Sequence, residues 1–163
     1  MRMPSESAPP SRGGRLVQFV IFKLADEEFA IPIDEVREII RAVPVTPVPG
    51  APESIRGMIN VRGEVASVID LKFRFSLREK APASPKHIII TAQKKILFAF
   101  TVDEVTEILR IMENEIKPTP PTGTAVEENY LTGVVIREGR LIALLDLGKV
   151  LREPVPAGAA TAA

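Results

Sequence analysis

The chain has 163 residues, no cysteine and one histidine, and its 21 lysines and arginines balance its 21 aspartates and glutamates. The lack of cysteine excludes disulfides, thiol nucleophiles and thiolate metal sites. The neutral balance gives no support for a nucleic-acid surface or a polybasic membrane patch, because both need an excess of basic residues. Apolar runs are all shorter than a membrane span, so the sequence predicts a soluble cytoplasmic protein.

Short apolar segments rich in β-branched residues follow one another along the chain, with turn residues between them. The predicted strands are 16–24, 29–33, 38–45, 58–61, 64–69, 87–92, 96–102, 134–136 and 140–145. The predicted hairpin turns are Arg62-Gly63, Gln93-Lys94-Lys95 and Glu138-Gly139. Short helical segments are predicted at 52–56, 71–75 and 146–152. Strands this short and this frequent favour small β-barrels.

The same pattern occurs twice in the chain. Residues 29–41 and 98–110 share Phe-Ala, Asp-Glu-Val, Glu-Ile and a closing Arg, at an offset of 69 positions. Residues 57–71 and 133–147 share a second pattern that ends in Asp-Leu, at an offset of 76 positions. A repeat of this length predicts two similar subdomains that pack together, since each unit alone is marginal for independent folding.

Composition places these subdomains between two tails. Residues 1–14 and 153–163 are dominated by small residues and proline, which cannot bury enough apolar surface to offset the entropy lost on ordering. We therefore predict a disordered tail, a folded region at 15–152 and a second, flexible tail. The first subdomain lies mainly at 15–80 and the second mainly at 86–152, and the sequence leaves open whether they exchange strands.

Candidates for catalysis are few. They are the single histidine, two repeated acidic pairs and two aspartates before predicted helical turns: His87, Asp34-Glu35, Asp103-Glu104, Asp70 and Asp146. The histidine has no acidic or amide neighbour in sequence, the pairs are interpreted as solvated turn carboxylates, and the two aspartates as helix caps. The sequence predicts no catalytic residue, metal site or cofactor, with an enzyme built on dispersed carboxylates as an alternative.

Motifs of defined residues also occur in a fixed order. They are Phe22-x-Leu24-x-Asp26-Glu27-Glu28-Phe29, Val36-x-Glu38-Ile39, Ile55-Arg56-Gly57-x-x-Asn60-Val61-Arg62-Gly63, Val68-Ile69-Asp70-Leu71, Val102-Asp103-x-Val105, Ile116-Lys117-Pro118 and Tyr130-Leu131-Thr132-Gly133. Each motif alone is weak, but the ordered set is specific. It resembles the CheW family of chemotaxis coupling proteins, from about Gln18 to Leu151.

The resemblance implies an all-β fold of two five-stranded SH3-like barrels packed around a shared core, with short helical segments. It implies a non-enzymatic adaptor, without cofactor, that couples the cytoplasmic tip of chemoreceptors to the regulatory domain of the histidine kinase CheA. The expected location is the cytoplasm, at membrane-associated receptor arrays, with no membrane insertion and no nucleic-acid partner. The alternatives are a CheW-like scaffold of a twitching or developmental pathway, and a divergent barrel that binds a small ligand.

The resemblance also implies two binding surfaces. The receptor-facing positions are Val36, Glu38, Asn60, Val61 and Arg62. The kinase-facing positions are Arg56, Gly57, Thr132 and Gly133. From the residues alone, Val36 would be ordinary core, Glu38 and Arg62 a solvated strand residue and a hairpin tip, and the glycines turn or close-approach positions.

Overall fold

The computed structural model describes residues 14–77, 83–120 and 130–152. The strands are β1 (Leu16–Leu24), β2 (Glu27–Pro32), β3 (Glu38–Arg41), β4 (Ile55–Val61), β5 (Glu64–Ile69), β6 (His87–Gln93), β7 (Ile96–Val102), β8 (Glu104–Met112), β9 (Leu131–Arg137) and β10 (Arg140–Leu145). The helices are α1 (Leu71–Arg74) and α2 (Leu147–Arg152), and 3-10 turns occupy Ile33–Glu35 and Glu113–Glu115. The predicted tails, Gly14 excepted, lie outside the described residues.

The strands form two five-stranded sheets. Sheet A has the order β8-β1-β2-β10-β9, and sheet B has the order β3-β6-β7-β5-β4. Each sheet contains one parallel pair, β2 with β10 and β5 with β7, and its other pairs are antiparallel. The two orders are the same once each strand is replaced by its counterpart in the other copy of the repeat. Each sheet therefore contains strands from both halves of the chain.

The two sheets pack against each other around a shared apolar core. Alternate residues of β1, such as Val20 and Phe22, pack there with Phe29 of β2 and with Ile89 and Phe100 of sheet B. The intervening residues of β1 belong to a second cluster on the other face of sheet A, and sheet B has a cluster of its own. Because side chains alternate between faces, a strand buried on both faces needs a nearly continuous apolar run.

The predicted all-β class is thereby confirmed. The two mixed sheets are of the SH3-like type but are not closed barrels. Both predicted helical turns that follow an aspartate are also present. Asp70 accepts a hydrogen bond from the backbone N–H of Phe73 at 3.1 Å, and Asp146 accepts one from Lys149 at 3.2 Å. These contacts are the expected N-terminal caps.

Two local predictions were wrong. The segment 52–56 is not helical, because Ile55 and Arg56 already belong to β4, where Ile55 pairs with Ile69 of β5. The third predicted strand ends at Arg41 rather than at residue 45, and Thr46 then forms an isolated antiparallel bridge with Met58. In the first place the pairing of β4 with β5 overrides the local proline and glycine signals for a helical turn. In the second, Pro44 lies inside the predicted strand and has no N–H to donate to a sheet.

Thr91 is a buried polar residue whose hydroxyl has no hydrogen-bond partner in the described part of the chain. It lies on β6 on the same face as Ile89, which packs in the shared core. Thr91→Val keeps the volume and removes the unpaired hydroxyl, so we expect the free energy of unfolding to rise by about 1 kcal/mol. Urea denaturation measures this change.

Thr91→Ser serves as the control, because it keeps the hydroxyl and loses a methyl group from the core. We expect the serine variant to be less stable than the wild type. A valine variant that is also less stable than the wild type would show that the hydroxyl of Thr91 makes a favourable contact, such as one to a buried water molecule.

Candidate functional site

Four of the five predicted receptor-facing residues lie around the open side of sheet B. Strands β3 and β4 are the two edges of this sheet, and the gap between them is called the seam here. Glu38 begins β3, while Asn60, Val61 and Arg62 lie at the end of β4 and in the turn that follows it. Val36 differs from these residues, because it is half-buried and packs against the shared core.

An ion pair crosses the seam. Nε and Nη2 of Arg62 donate to the two carboxylate oxygens of Glu38, at 3.2 and 2.8 Å. This two-pronged geometry is the strong form of an arginine–carboxylate contact. The hydrogen bond from Arg62 holds the pKa of the Glu38 carboxyl below its ordinary value, and the same bond raises the pKa of the Arg62 guanidinium. Both groups are therefore charged at neutral pH.

The β4–β5 turn fixes the position of the Arg62 side chain. Arg62 and Gly63 both have positive φ, at 53° and 86°, which matches a type I′ hairpin turn. The side-chain oxygen of Asn60 accepts a hydrogen bond from the backbone N–H of Gly63 at 3.0 Å. Asn60 thus acts as a positioning residue for the turn. The Arg62 side chain is 78% exposed, so it remains accessible to a partner.

A second ion pair lies beside the first, where Nη1 of Arg37 is 3.3 Å from Oε1 of Glu64. Together the two pairs border a small cavity of about 130 Å³. Its lining consists of four charged residues, called the charge rim here, and three apolar ones: Arg37, Glu38, Arg62 and Glu64, with Val61, Ile90 and Leu97. The site therefore combines fixed charges of both signs with a small apolar floor.

The predicted kinase-facing residues occupy equivalent places in the two sheets. Arg56 and Gly57 lie on the edge strand β4 of sheet B, and Thr132 and Gly133 lie on the edge strand β9 of sheet A. No hydrogen bond or ion pair joins the two places within the described ranges. Arg56 is 3.6 Å from the carboxylate of Asp70, and Thr132 donates to the carbonyl of Leu144 at 3.4 Å.

Both glycines permit a close backbone approach. A Cβ atom on Gly57 would lie 2.1 Å from the carbonyl oxygen of Thr46, and one on Gly133 would lie 2.6 Å from that of Lys117. These approaches allow the bridges of Thr46 with Met58 and of Lys117 with Val134. Each glycine is itself buried, so the exposed members of the predicted surface are Arg56 and Thr132.

Asp103 departs from its predicted role as a solvated turn carboxylate. Its side chain is only 15% exposed and lies 2.7 Å from Nζ of Lys72. Its second oxygen accepts a hydrogen bond from the backbone N–H of Ala25 at 2.9 Å. The carboxylate therefore connects sheet B to the β1–β2 turn of sheet A. The spacing of residues in the sequence gave no sign of this contact.

His87 lies at the start of β6, as predicted, and its Nδ1 accepts a hydrogen bond from the backbone N–H of Val105 at 3.2 Å. In the described ranges no three or more His, Cys, Asp or Glu residues group in a way that could hold a metal ion. None of the helices described is long and apolar enough to cross a membrane.

A family model and two similar proteins point to the same family. Residues 18–155 match the family model described as CheW-like domain. The chemotaxis protein CheW of Rhizobium meliloti is 37% identical over 141 residues, which cover 86% of this chain and 89% of the relative. The chemotaxis protein CheW of Helicobacter pylori is 33% identical over 140 residues, which cover 85% and 83%.

A solved structure agrees with these sequence matches. The crystal structure of the scaffolding protein TtCheW from Thermoanaerobacter tengcongensis has a TM-score of 0.74 and 31% sequence identity to this chain. The match covers 86% of this chain and 90% of that one. Sequence, family model and fold therefore agree along the same stretch, and the chain belongs to the CheW family.

Proposed function

We propose that this protein is a non-catalytic scaffold that couples chemoreceptors to a CheA-type histidine kinase in a chemotaxis signalling array. The relatives are named as chemotaxis proteins, and the related solved structure is named as a scaffolding protein. The observation that carries the proposal is the two-pronged Glu38–Arg62 pair at an exposed seam, beside a small cavity lined by charged and apolar residues. Fixed charges around an apolar floor suit a helix of a partner protein.

The receptor tip is the proposed partner of the seam. Receptors of this type present a helical hairpin, whose apolar side chains would contact Val61 and whose polar groups would reach Arg62 and Glu38. Asn60 supports this contact indirectly, because it holds the turn that carries Arg62. Val36 supports it through the core beneath the start of β3.

A bridging protein needs a second surface for the kinase. We assign Arg56 and Thr132 to this surface, each next to a glycine that keeps its edge strand in place. The receptor would then change the activity of the kinase by altering how the scaffold constrains the kinase regulatory domain. The working location is the cytoplasm, at the membrane-associated array.

Four of the candidate acid–base residues are engaged in structural contacts, which fits a role without catalysis. Asp70 and Asp146 cap the two helices, and Asp103 is held by Lys72 and the backbone of Ala25. His87 uses one ring nitrogen to accept a backbone N–H. These groups are engaged in contacts that hold the fold together, so none of them is assigned to a reaction.

Arg62→Ala tests the receptor-facing surface. We expect the affinity for a purified cytoplasmic fragment of the receptor to fall about tenfold, because the fixed cation at the seam is lost. The melting temperature should hardly change, since exposed ion pairs contribute little to stability. Titration calorimetry and a thermal melt measure the two effects, and binding to the kinase regulatory domain should be retained.

Lys86→Ala is the matched control, because it removes another exposed ion pair, in which Nζ of Lys86 is 3.7 Å from Glu104. We expect this variant to bind the receptor like the wild type. If Arg62→Ala lost folding stability along with receptor affinity, a surface role for Arg62 would be contradicted. A folded wild-type protein that binds neither receptor nor kinase would overturn the proposed function.

A further inference from the structure

We propose that Arg37 and Glu64 determine which partner helix the seam accepts. In this proposal the charge rim selects an amphipathic helix that carries one aliphatic side chain between an acidic and a basic residue. The inference rests on the proposed function, because it names the chemistry that the receptor-facing surface recognises.

The charge rim presents both signs on each side of the seam. On one side Arg37 and Glu38 are consecutive, and on the other Arg62 and Glu64 flank Gly63. The backbone N–H of Arg37 donates to the carbonyl of Ile90 at 2.7 Å, which anchors the start of β3 to β6. Each cation therefore faces an anion across the seam, and the two pairs run in opposite directions.

The Arg37–Glu64 pair is not repeated in the other copy of the pattern. At the repeat offsets, Arg37 corresponds to Thr106 and Glu64 corresponds to Arg140. Thr106 donates to the carbonyl of Ile21 at 3.3 Å, while Arg140 pairs with Glu107, the counterpart of Glu38, at 3.0 Å. Within the described residues, the second copy thus has no ion pair between the positions equivalent to Arg37 and Glu64, and it pairs Arg140 with Glu107 and Arg137 with Glu115 instead.

The exposure of Arg37 and Glu64 also argues against a structural role for their ion pair. The side chains of Arg37 and Glu64 are 52% and 56% exposed, whereas that of Glu38 is 25% exposed. Ion pairs this exposed contribute little to folding, because water already solvates both charges. Because both side chains are exposed, Arg37 and Glu64 can separate and pair with charges of a partner, with little loss of folding stability.

The apolar floor indicates what must lie between the charges. Ile90 and Leu97 are buried core residues of the cluster against which Val61 packs, and all three line the cavity. Its volume of about 130 Å³ is close to that of apolar cavities, about 150 Å³, that admit a guest the size of benzene. One aliphatic side chain therefore fits. On a helix, residues three or four positions away would bring charges to either side of it.

The test is a charge exchange in the full chain, Arg37→Glu together with Glu64→Arg. The exchanged pair can still form across the seam, so the melting temperature should remain that of the wild type. The affinity for the receptor cytoplasmic fragment should fall about tenfold or more, because each partner charge now meets a like charge. Titration calorimetry at low and moderate salt measures the affinity.

Two further variants sharpen the test. The exchange Lys86→Glu with Glu104→Lys reverses another exposed pair and should leave receptor affinity unchanged. Reversing the acidic and basic residues on the receptor helix should restore binding to the Arg37→Glu, Glu64→Arg protein. Such rescue would support direct recognition, because a purely structural role for the pair predicts none.

The outcomes separate the inference from the proposed function. If Arg62→Ala weakens receptor binding but the Arg37–Glu64 exchange binds like the wild type, the inference is overturned and the proposed function stands. If the wild-type protein does not bind the receptor fragment, the proposed function fails and the inference fails with it.

Discussion

Gly57→Ala is expected to lower the free energy of unfolding by about 4 kcal/mol, from the sum of two effects. The φ angle of Gly57 is +149°, in a region that residues with a Cβ atom rarely adopt. The new methyl group would also lie 2.1 Å from the carbonyl oxygen of Thr46, which is backbone and cannot rotate away. Urea denaturation gives the free energy.

Two other glycines separate these contributions. Gly133→Ala meets the carbonyl of Lys117 at 2.6 Å but has no unusual φ, so it should cost about 2 kcal/mol. Gly63→Ala has a φ of +86° and open space around it, so it should cost about 1 kcal/mol. If the Gly57 variant is no less stable than the Gly63 variant, the bridge between Thr46 and Met58 can move aside without loss of stability.

Amide exchange adds a local measurement to the same experiment. The bridge consists of two hydrogen bonds, from Thr46 N–H to the carbonyl of Met58 at 3.0 Å and from Met58 N–H to that of Thr46 at 2.8 Å. In Gly57→Ala these two amides should lose protection more than those of β6 and β7, because the clash is confined to this edge. Uniform loss would instead indicate general destabilisation of the protein.

Most of the strands could be predicted from local patterns, because alternation and turn chemistry act within a few residues. The turns at Arg62-Gly63 and Glu138-Gly139 illustrate this, since a positive φ at both positions is a local property of type I′ hairpins. The helix predicted at 52–56 is absent because this segment is determined by non-local contacts. Gly57 is required by the approach of Thr46, and local sequence does not show that contact.

The candidate site was only partly predictable. Glu38 and Arg62 were named because the ordered motifs resemble a known family, and the structure then joined them in a two-pronged ion pair. Arg37 and Glu64 were missed, because their contact depends on two strand edges meeting across the seam. The hairpin register alone pairs Glu64 with Val61 and does not reach β3.

The role of Asp103 was also predicted wrongly, because its contacts with Lys72 and Ala25 join residues far apart in sequence. A substitution of Asp103 is expected to have a large effect on stability. Asp103→Ala should lower the free energy of unfolding by about 3 kcal/mol. The substitution leaves the mostly buried ammonium of Lys72 without this carboxylate. It also removes the acceptor for the N–H of Ala25, a buried residue with a φ of 51°. Urea denaturation measures the loss.

The repeat supplies the control for Asp103. Asp34 is its counterpart 69 positions earlier, and its side chain is exposed, whereas that of Asp103 is only 15% exposed. Asp34→Ala should therefore change stability by less than about 0.5 kcal/mol. Asp103→Asn keeps an acceptor for the Ala25 N–H while removing the charge, so its stability should lie between those of the wild type and Asp103→Ala.

The ranking of these variants decides what Asp103 does. If Asp103→Ala costs no more than Asp34→Ala, the contacts with Lys72 and Ala25 do not hold the two sheets together. If Asp103→Asn is as unstable as Asp103→Ala, the ion pair with Lys72 accounts for the stabilisation and the backbone contact adds little. The expected intermediate value would instead show that one carboxylate holds the β1–β2 turn of sheet A against sheet B through both contacts, so that the shared core depends on a residue at its rim.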